Sequence, residues 1–386
     1  FKAKELFTFL TAIIVRWINF SAHANNNILF IFEGLKGHFF SGDKMNLENI
    51  FSFENLYNAH KKCRRSKQHK GEVIRFETNI SENIYKLKKE LTSKRYKVGK
   101  YKEFLIYEPK ERLIQALPYR DRIVLRCFCD NILIPKIEKK LINDNVACRK
   151  SKGTKYGMDR LKYFLQKEFF RNKDNKVYYL KCDIHKYFPS IDHDILINRL
   201  KKVDFSDDEF WFINKIINEQ PNNLGKGLAL GNQSSQWFAL YYLDRIDRLV
   251  KEQLRIKGYV RYMDDFILIH RNKQYLQHCL KEINKVCNEE LNLKLNQKTQ
   301  IGIAYNGIDF LGFNHILTSS GKVIRKLRFS SKQTMKKHIK TMKKLKDKSI
   351  IDEEYISMRI NSFKAHLKCS NEKSMDKLLS NLDKKI

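Results

Sequence analysis

Tyr262-Met263-Asp264-Asp265 sets two adjacent carboxylates between apolar flanks, Gly258-Tyr259-Val260-Arg261 before and Phe266-Ile267-Leu268-Ile269 after. Such flanks read as the arms of a β-hairpin whose tight turn holds both aspartates at its tip. Hard divalent cations prefer carboxylate oxygens, and in-line displacement at phosphorus uses two such ions about 4 Å apart. A site of that kind needs a further carboxylate. Asp183 is the best placed, closing the apolar run from Val177 to Cys182, where a sheet presents its ligands. Asp192 and Asp194 compete with it, but Ser190-Ile191-Asp192-His193-Asp194 reads as a helix start, where acidic residues cap and meet the dipole. An Asp-Asp pair in an ordinary solvated turn is the alternative reading of the hairpin.

The elements that must hold these groups are legible around them. Residues 99–117 read as a second hairpin, with Pro109-Lys110-Glu111 as its turn. Helical patterning covers Glu48 to Leu91, Asp121 to about Lys140, 206–219 and 234–256. Short strands surround Phe310-Leu311-Gly312-Phe313, and a basic helical tail runs to Ile386. Helices mixed with an antiparallel acidic hairpin predict an α+β fold rather than a doubly wound sheet.

Charge narrows the partner. The 386 residues carry 76 Lys+Arg against 43 Asp+Glu, a formal +33, and such an excess calls for a polyanion. A ribosome-like structural role or a basic face for anionic membranes leaves the acidic turn unexplained. The eight cysteines are scattered, and Cys127-Phe128-Cys129 is not a zinc spacing, so reduced thiols in the cytoplasm are expected. The apolar stretch Phe7 to Val15 falls well short of the ~20 residues of a bilayer span. No Met precedes Met45, and residues 1–44 read as a non-native or upstream-translated extension.

Asp183-Ile184-His185-Lys186-Tyr187-Phe188-Pro189-Ser190-Ile191-Asp192-His193, followed by Tyr262-Met263-Asp264-Asp265, resembles the palm of a reverse transcriptase. The resemblance covers most of residues 92–345 with the motifs in family order. It implies a right-hand polymerase: an N-terminal region and fingers over 45–175, an antiparallel palm over 176–315, and a basic helical thumb with C-terminal helices over 316–386. It further implies two Mg²⁺ ions, or Mn²⁺ in their place, at Asp183, Ile184, Asp264 and Asp265.

Other roles follow residue by residue from the same resemblance. Phe188 stands where the family keeps an aromatic that blocks a 2′-hydroxyl, with a plain core phenylalanine as the other reading. Lys110 and Arg112 lie on the hairpin that closes on the triphosphate, or face solvent. Lys298, in Leu295-Asn296-Gln297-Lys298-Thr299, protonates the departing pyrophosphate or sits near phosphate. Leu311-Gly312-Phe313 resembles the primer-grip turn, or is a strand bend eased by glycine. Tyr262, Met263, Arg149 and Lys150 join it as primer or template contacts.

Within the family, Leu230-Gly231 through Ser235-Gln236 departs from the usual Gln-Gly and Ser-Pro. With Ala147-Cys148-Arg149-Lys150-Ser151-Lys152-Gly153-Thr154 it resembles the enzymes of diversity-generating retroelements, which misread template adenines. Leu230, Gly231 and Gln236 then contact the incoming dNTP, and an apolar residue in place of an amide loosens base selection. Expected partners are template RNA, the RNA–DNA heteroduplex, dNTPs, and a four-helix-bundle accessory protein or further copies of the chain. Two other readings stand beside this one: a phage-defence enzyme copying a dedicated noncoding RNA, and an inert RNA-binding protein on a polymerase fold. No segment reads as a ribonuclease H, endonuclease or integrase domain, so those activities are expected from elsewhere.

Overall fold

The computed structural model describes residues 46–370 apart from 108–110, 173, 175 and 222–224. The expectations for residues 1–44, for Lys110 and for the end of the basic tail therefore lie outside the described residues.

The described chain opens with four helices. Asn46 caps α1 (Leu47–Ile50) and Ser52 caps α2 (Phe53–Arg64), each side-chain oxygen accepting an amide three residues on. α3 (Gly71–Thr78) and α4 (Ile80–Thr92) follow, and α2 and α3 pack on α5 (Tyr119–Phe128). β1 (Lys102–Ile106) and β2 (Arg112–Ala116) form a separate antiparallel ribbon that leaves Phe104, Leu105 and Leu113 exposed. The helix expected from Asp121 is present. It widens into a π-helical turn at Cys129–Leu133 before α6 (Ile134–Glu138).

The central sheet has the order β4-β5-β3-β6, every neighbour antiparallel. β3 is Tyr178–Cys182, β4 Gly258–Tyr262, β5 Asp265–His270 and β6 Gln300–Ile303. Because side chains alternate along a strand, each face of this sheet needs a cover. On one face Tyr179, Val260, Ile267 and Ile269 pack with Leu161, Phe164, Leu165 and Phe169 of α7 (Thr154–Arg171). α8 (Tyr187–Ser190), α9 (His193–Leu200) and α10 (Asp207–Asn218) come between β3 and the loop at 225–231. Asp192 caps α9, as its position predicted, accepting the amides of Asp194 and Ile195.

The single helix expected over 234–256 is three pieces: α11 (Gln233–Tyr242), α12 (Asp244–Arg248) and a π-helical turn at Leu249–Gln253. The break at Leu243 and the widened last turn let a buried acid, Asp247, meet a buried base in the sheet. A 3.6-residue apolar period cannot show this, because the determining contact is with a distant strand. α13 (Lys273–Glu290) then packs on β3, β5 and β6. A second sheet, β7 (Ile308–Phe310), β8 (Phe313–Leu317) and β9 (Val323–Leu327), precedes α14 (Phe329–Asp347) and α15 (Glu353–Leu367). Those last helices join through Met342, Ile356 and Ile360. All eight cysteines carry free thiols, and among the described residues no helix is long and apolar enough to cross a membrane.

Candidate active site

Tyr262 of β4 pairs with Asp265 of β5, so Met263 and Asp264 are the whole loop between them. Met263 is left-handed at φ 55°, a conformation that costs a non-glycine residue roughly 1–2 kcal/mol. Asp183 follows β3 directly, beside the same hairpin. Its backbone carbonyl accepts the Asn296 amide at 2.7 Å, the His185 amide donates to the Lys294 carbonyl at 2.9 Å, and Ile184 bridges Leu295. The segment 294–296 thereby fixes the end of β3.

A cavity of ≈ 920 Å³ opens over these groups, within the range of small-molecule and cofactor sites. Asp183 and Asp264 form its acidic floor with Ile184 between them, Arg112 and Gln115 come from the β1–β2 ribbon, and Tyr187, Leu228 and Leu230 supply an apolar side. The ribbon is joined to that side by the Gln115 amide, which donates to the Leu230 carbonyl at 2.9 Å. Gly231, at φ 129°, makes this approach possible, since a Cβ there would stand 3.2 Å from the Gln115 carbonyl oxygen.

The third carboxylate turns aside. Asp265 is absent from the cavity wall, and its Oδ2 faces Lys181 Nζ at 3.5 Å while Lys181 also donates to the backbone carbonyl of Asp309 on β7. Burial pushes the Asp265 carboxyl up to about 7, Lys181 pulling against it and Asp183 and Asp264 adding repulsion. Asp264 is pushed up to about 6, by burial and then by Asp183, with Arg112 and Arg261 opposing. Among the described residues no three acidic, His or Cys side chains converge closely enough to hold an ion as they stand. The donors nevertheless fit a hard cation. Two carboxyls are held where their ionised forms are under-compensated, and Asp265 Oδ1 is buried with no hydrogen-bond partner.

The other expected residues fall into two groups. Arg112 and Leu230 line the cavity, and Gly231 adjoins it. Phe188 is half-buried edge-on against Tyr187, ring centroids 5.7 Å apart, while Tyr187 and Pro189 on either side of it form cavity wall. Leu311 and Gly312 (φ 52° and 87°) are the two-residue turn between β7 and β8, with Phe310 and Phe313 fully buried beneath and the Gly312 carbonyl accepting the Arg328 amide. Away from the cavity, Lys298 is exposed, and Gln236 is also exposed, its Oε1 accepting from Cys148 Sγ at 3.4 Å. Arg149 is drawn inward, its guanidinium bonded to Glu138 and to the carbonyls of Ile142 and Asn145, whereas Lys150 is exposed. Sequence reasoning missed Lys181, Arg261 and Asn296. The first two had a signal, a cation inside an otherwise apolar strand near an aspartate.

Residues 112–315, more than half of the chain, match the family model described as Reverse transcriptase (RNA-dependent DNA polymerase). No curated protein matches the sequence. Among solved structures, apo telomerase from Candida tropicalis, truncated from its C-terminal domain, aligns at a TM-score of 0.43 and 16% identity over 56% of this chain and 53% of that one. Telomerase from Candida albicans in complex with a fragment of telomeric RNA aligns at 0.42 and 13% identity, over 63% and 48%. The chain thus spans about half the length of these telomerases.

Proposed function

The chain belongs to the reverse transcriptase family, and from that premise we propose that it copies RNA into DNA by metal-dependent nucleotidyl transfer. The observation that carries this is the acidic floor, with Asp183 and Asp264 facing a nucleotide-sized cavity and Asp265 one residue on. Two Mg²⁺ ions, or Mn²⁺ in their place, held by Asp183, Ile184, Asp264 and Asp265 would activate the primer 3′-hydroxyl and stabilise the departing pyrophosphate. Arg112 presents a bidentate cation to the triphosphate as the β1–β2 ribbon closes, with Lys110 beside it in sequence. The apolar wall of Tyr187, Leu228 and Leu230 excludes water and reads the sugar and base, and Phe188, packed edge-on against Tyr187, acts against a 2′-hydroxyl. Lys298 meets pyrophosphate as it leaves, and Gln236 closes the motif that begins at Leu230. Tyr262, Met263 and the Leu311-Gly312-Phe313 turn hold the primer end, and exposed Lys150 guides the template while Arg149, bonded to Glu138 and to the Ile142 and Asn145 carbonyls, braces the loop that carries it. We assign fingers, palm and thumb to 45–175, 176–315 and 316–386, the exposed lysines of α14 following the heteroduplex backbone.

Within the family, the reading that fits best is error-prone copying in a diversity-generating retroelement, in the cytoplasm and with an accessory protein or further copies of the chain. Its support is Leu230: a branched apolar side chain lines the cavity where an amide would otherwise help to hold the nucleotide. Sequencing the DNA that the purified protein makes on a defined RNA tests this. Substitutions concentrated at template adenines are expected. Faithful copying would move the assignment to the phage-defence role, and RNA binding without any DNA product would leave an inert RNA-binding protein.

A further inference from the structure

Arg261 precedes the acidic turn by one residue, and its side chain is completely buried. Nε and Nη2 make a two-pronged ion pair with Asp247 at 2.7 and 2.5 Å, and Asp247 is itself fully buried and accepts the Tyr259 hydroxyl at 2.7 Å. The remaining donors reach backbone. Nη2 donates to the Leu240 carbonyl at 3.0 Å, and Nη1 donates to the carbonyl of Met263 at 3.0 Å. The Arg261 backbone is tied as well, its amide to the Asp144 carbonyl and its carbonyl to the Val146 amide, both at 3.0 Å.

Burying such an ion pair gains little stability over an apolar pair of the same volume, so stability alone does not account for it. The Met263 carbonyl supplies one. It belongs to the peptide that carries Asp264, in the left-handed residue of a turn with no glycine to ease it. A guanidinium donates in several fixed directions from one plane. Here it links that peptide to Leu240 of α11, whose chain begins just after the Leu230–Gly231 wall, and to Asp247 of α12. One guanidinium thus ties the acidic turn to both α11 and α12.

We propose that Arg261, locked by Asp247, is a positioning residue that sets the Met263–Asp264 peptide and so where the Asp264 carboxylate stands. The proposal rests on the polymerase reading of the site. It predicts that loosening Arg261 slows the chemical step and leaves nucleotide binding nearly intact.

The test uses the full chain with Arg261→Gln/Asp247→Asn, which removes both charges and keeps two amides in place. Hydrogen exchange by mass spectrometry is compared with single-turnover primer extension. The expected result is exchange at least about tenfold faster in peptides covering 258–266 but unchanged in β3, with a maximal rate down about 100-fold, as small misplacements of reacting groups produce, and dNTP KM within about threefold. Wild-type exchange at the turn together with a rate within about twofold overturns the proposal. Should the double variant not fold, Arg261→Lys decides, because an ammonium can face Asp247 but cannot reach Leu240 and Met263 together. A folded Arg261→Lys protein with a mobile turn and slow extension supports the role, and wild-type behaviour overturns it. A wild-type protein that extends no primer sinks the polymerase reading instead, and the exchange data still decide what Arg261 holds.

Discussion

Replacing Asp265 by Asn should stabilise the metal-free protein while removing its activity, and the size of the effect can be worked from the site. The Asp265 carboxyl is pushed from 3.8 up to about 7 by burial and by its acidic neighbours. Below pH 4 both folded and unfolded states hold the proton and the group contributes nothing. Between about 4 and 7 the unfolded chain ionises and the folded one resists, so stability falls as pH rises, and above about 7 the whole penalty is present. A shift of this size corresponds to about 4 kcal/mol at 1.36 kcal/mol per unit, and we take about half, ~2 kcal/mol, because 27% of the side chain still meets water. Asn cannot ionise, and Lys181 keeps the Asp309 carbonyl as a partner. The assay is urea unfolding in EDTA at pH 5 and pH 8. Asp265→Asn is expected to lead wild type by ~2 kcal/mol at pH 8 and by less at pH 5, with the gap closing when excess Mg²⁺ is added to wild type. A variant no more stable than wild type at pH 8 would refute the reasoning, because the carboxylate would then be adequately compensated without a cation.

Three further outcomes follow from other parts of the molecule. Gly231→Ala should cost about 1–3 kcal/mol and slow extension, since φ 129° and the nearby Gln115 carbonyl both oppose a Cβ, whereas Gly71→Ala meets open space and should be neutral by thermal melting. Burial, and then the Arg325 cation, hold His315 down at about 4, so the unfolded chain takes up a proton that the folded one refuses as pH falls from 6.5. Wild type should therefore lose ~2 kcal/mol by pH 5 that His315→Gln does not, with no further loss below about pH 4, and parallel pH curves would contradict this. Lys336, Lys340 and Lys343 lie exposed along one side of α14, and changing all three to Gln should flatten the log–log salt dependence of heteroduplex binding by about 2–3, an unchanged slope removing α14 from the interface.

Much of the scaffold was legible because its signals are local. The acidic hairpin, the strand that ends just before Asp183 and the Asp192 cap are each written in a few adjacent residues. What escaped depends on contacts between distant segments. Nothing near Asp265 in sequence says that it will face Lys181, and nothing in 234–256 marks the break that brings Asp247 to Arg261. Arg149 reads as a free cation in a basic run, yet Glu138 and two carbonyls take up its guanidinium. Each of these charges was visible in the sequence. Its partner was not.

The central claim is tested most directly by primer extension on an RNA template, with purified wild type and Asp264→Asn matched by thermal melting. The account predicts Mg²⁺-dependent, RNA-templated DNA from wild type and at least about a 1,000-fold loss in a variant that melts no lower. DNA synthesis by Asp264→Asn within about tenfold of wild type, or none by wild type with Mg²⁺ and dNTPs present, would contradict it.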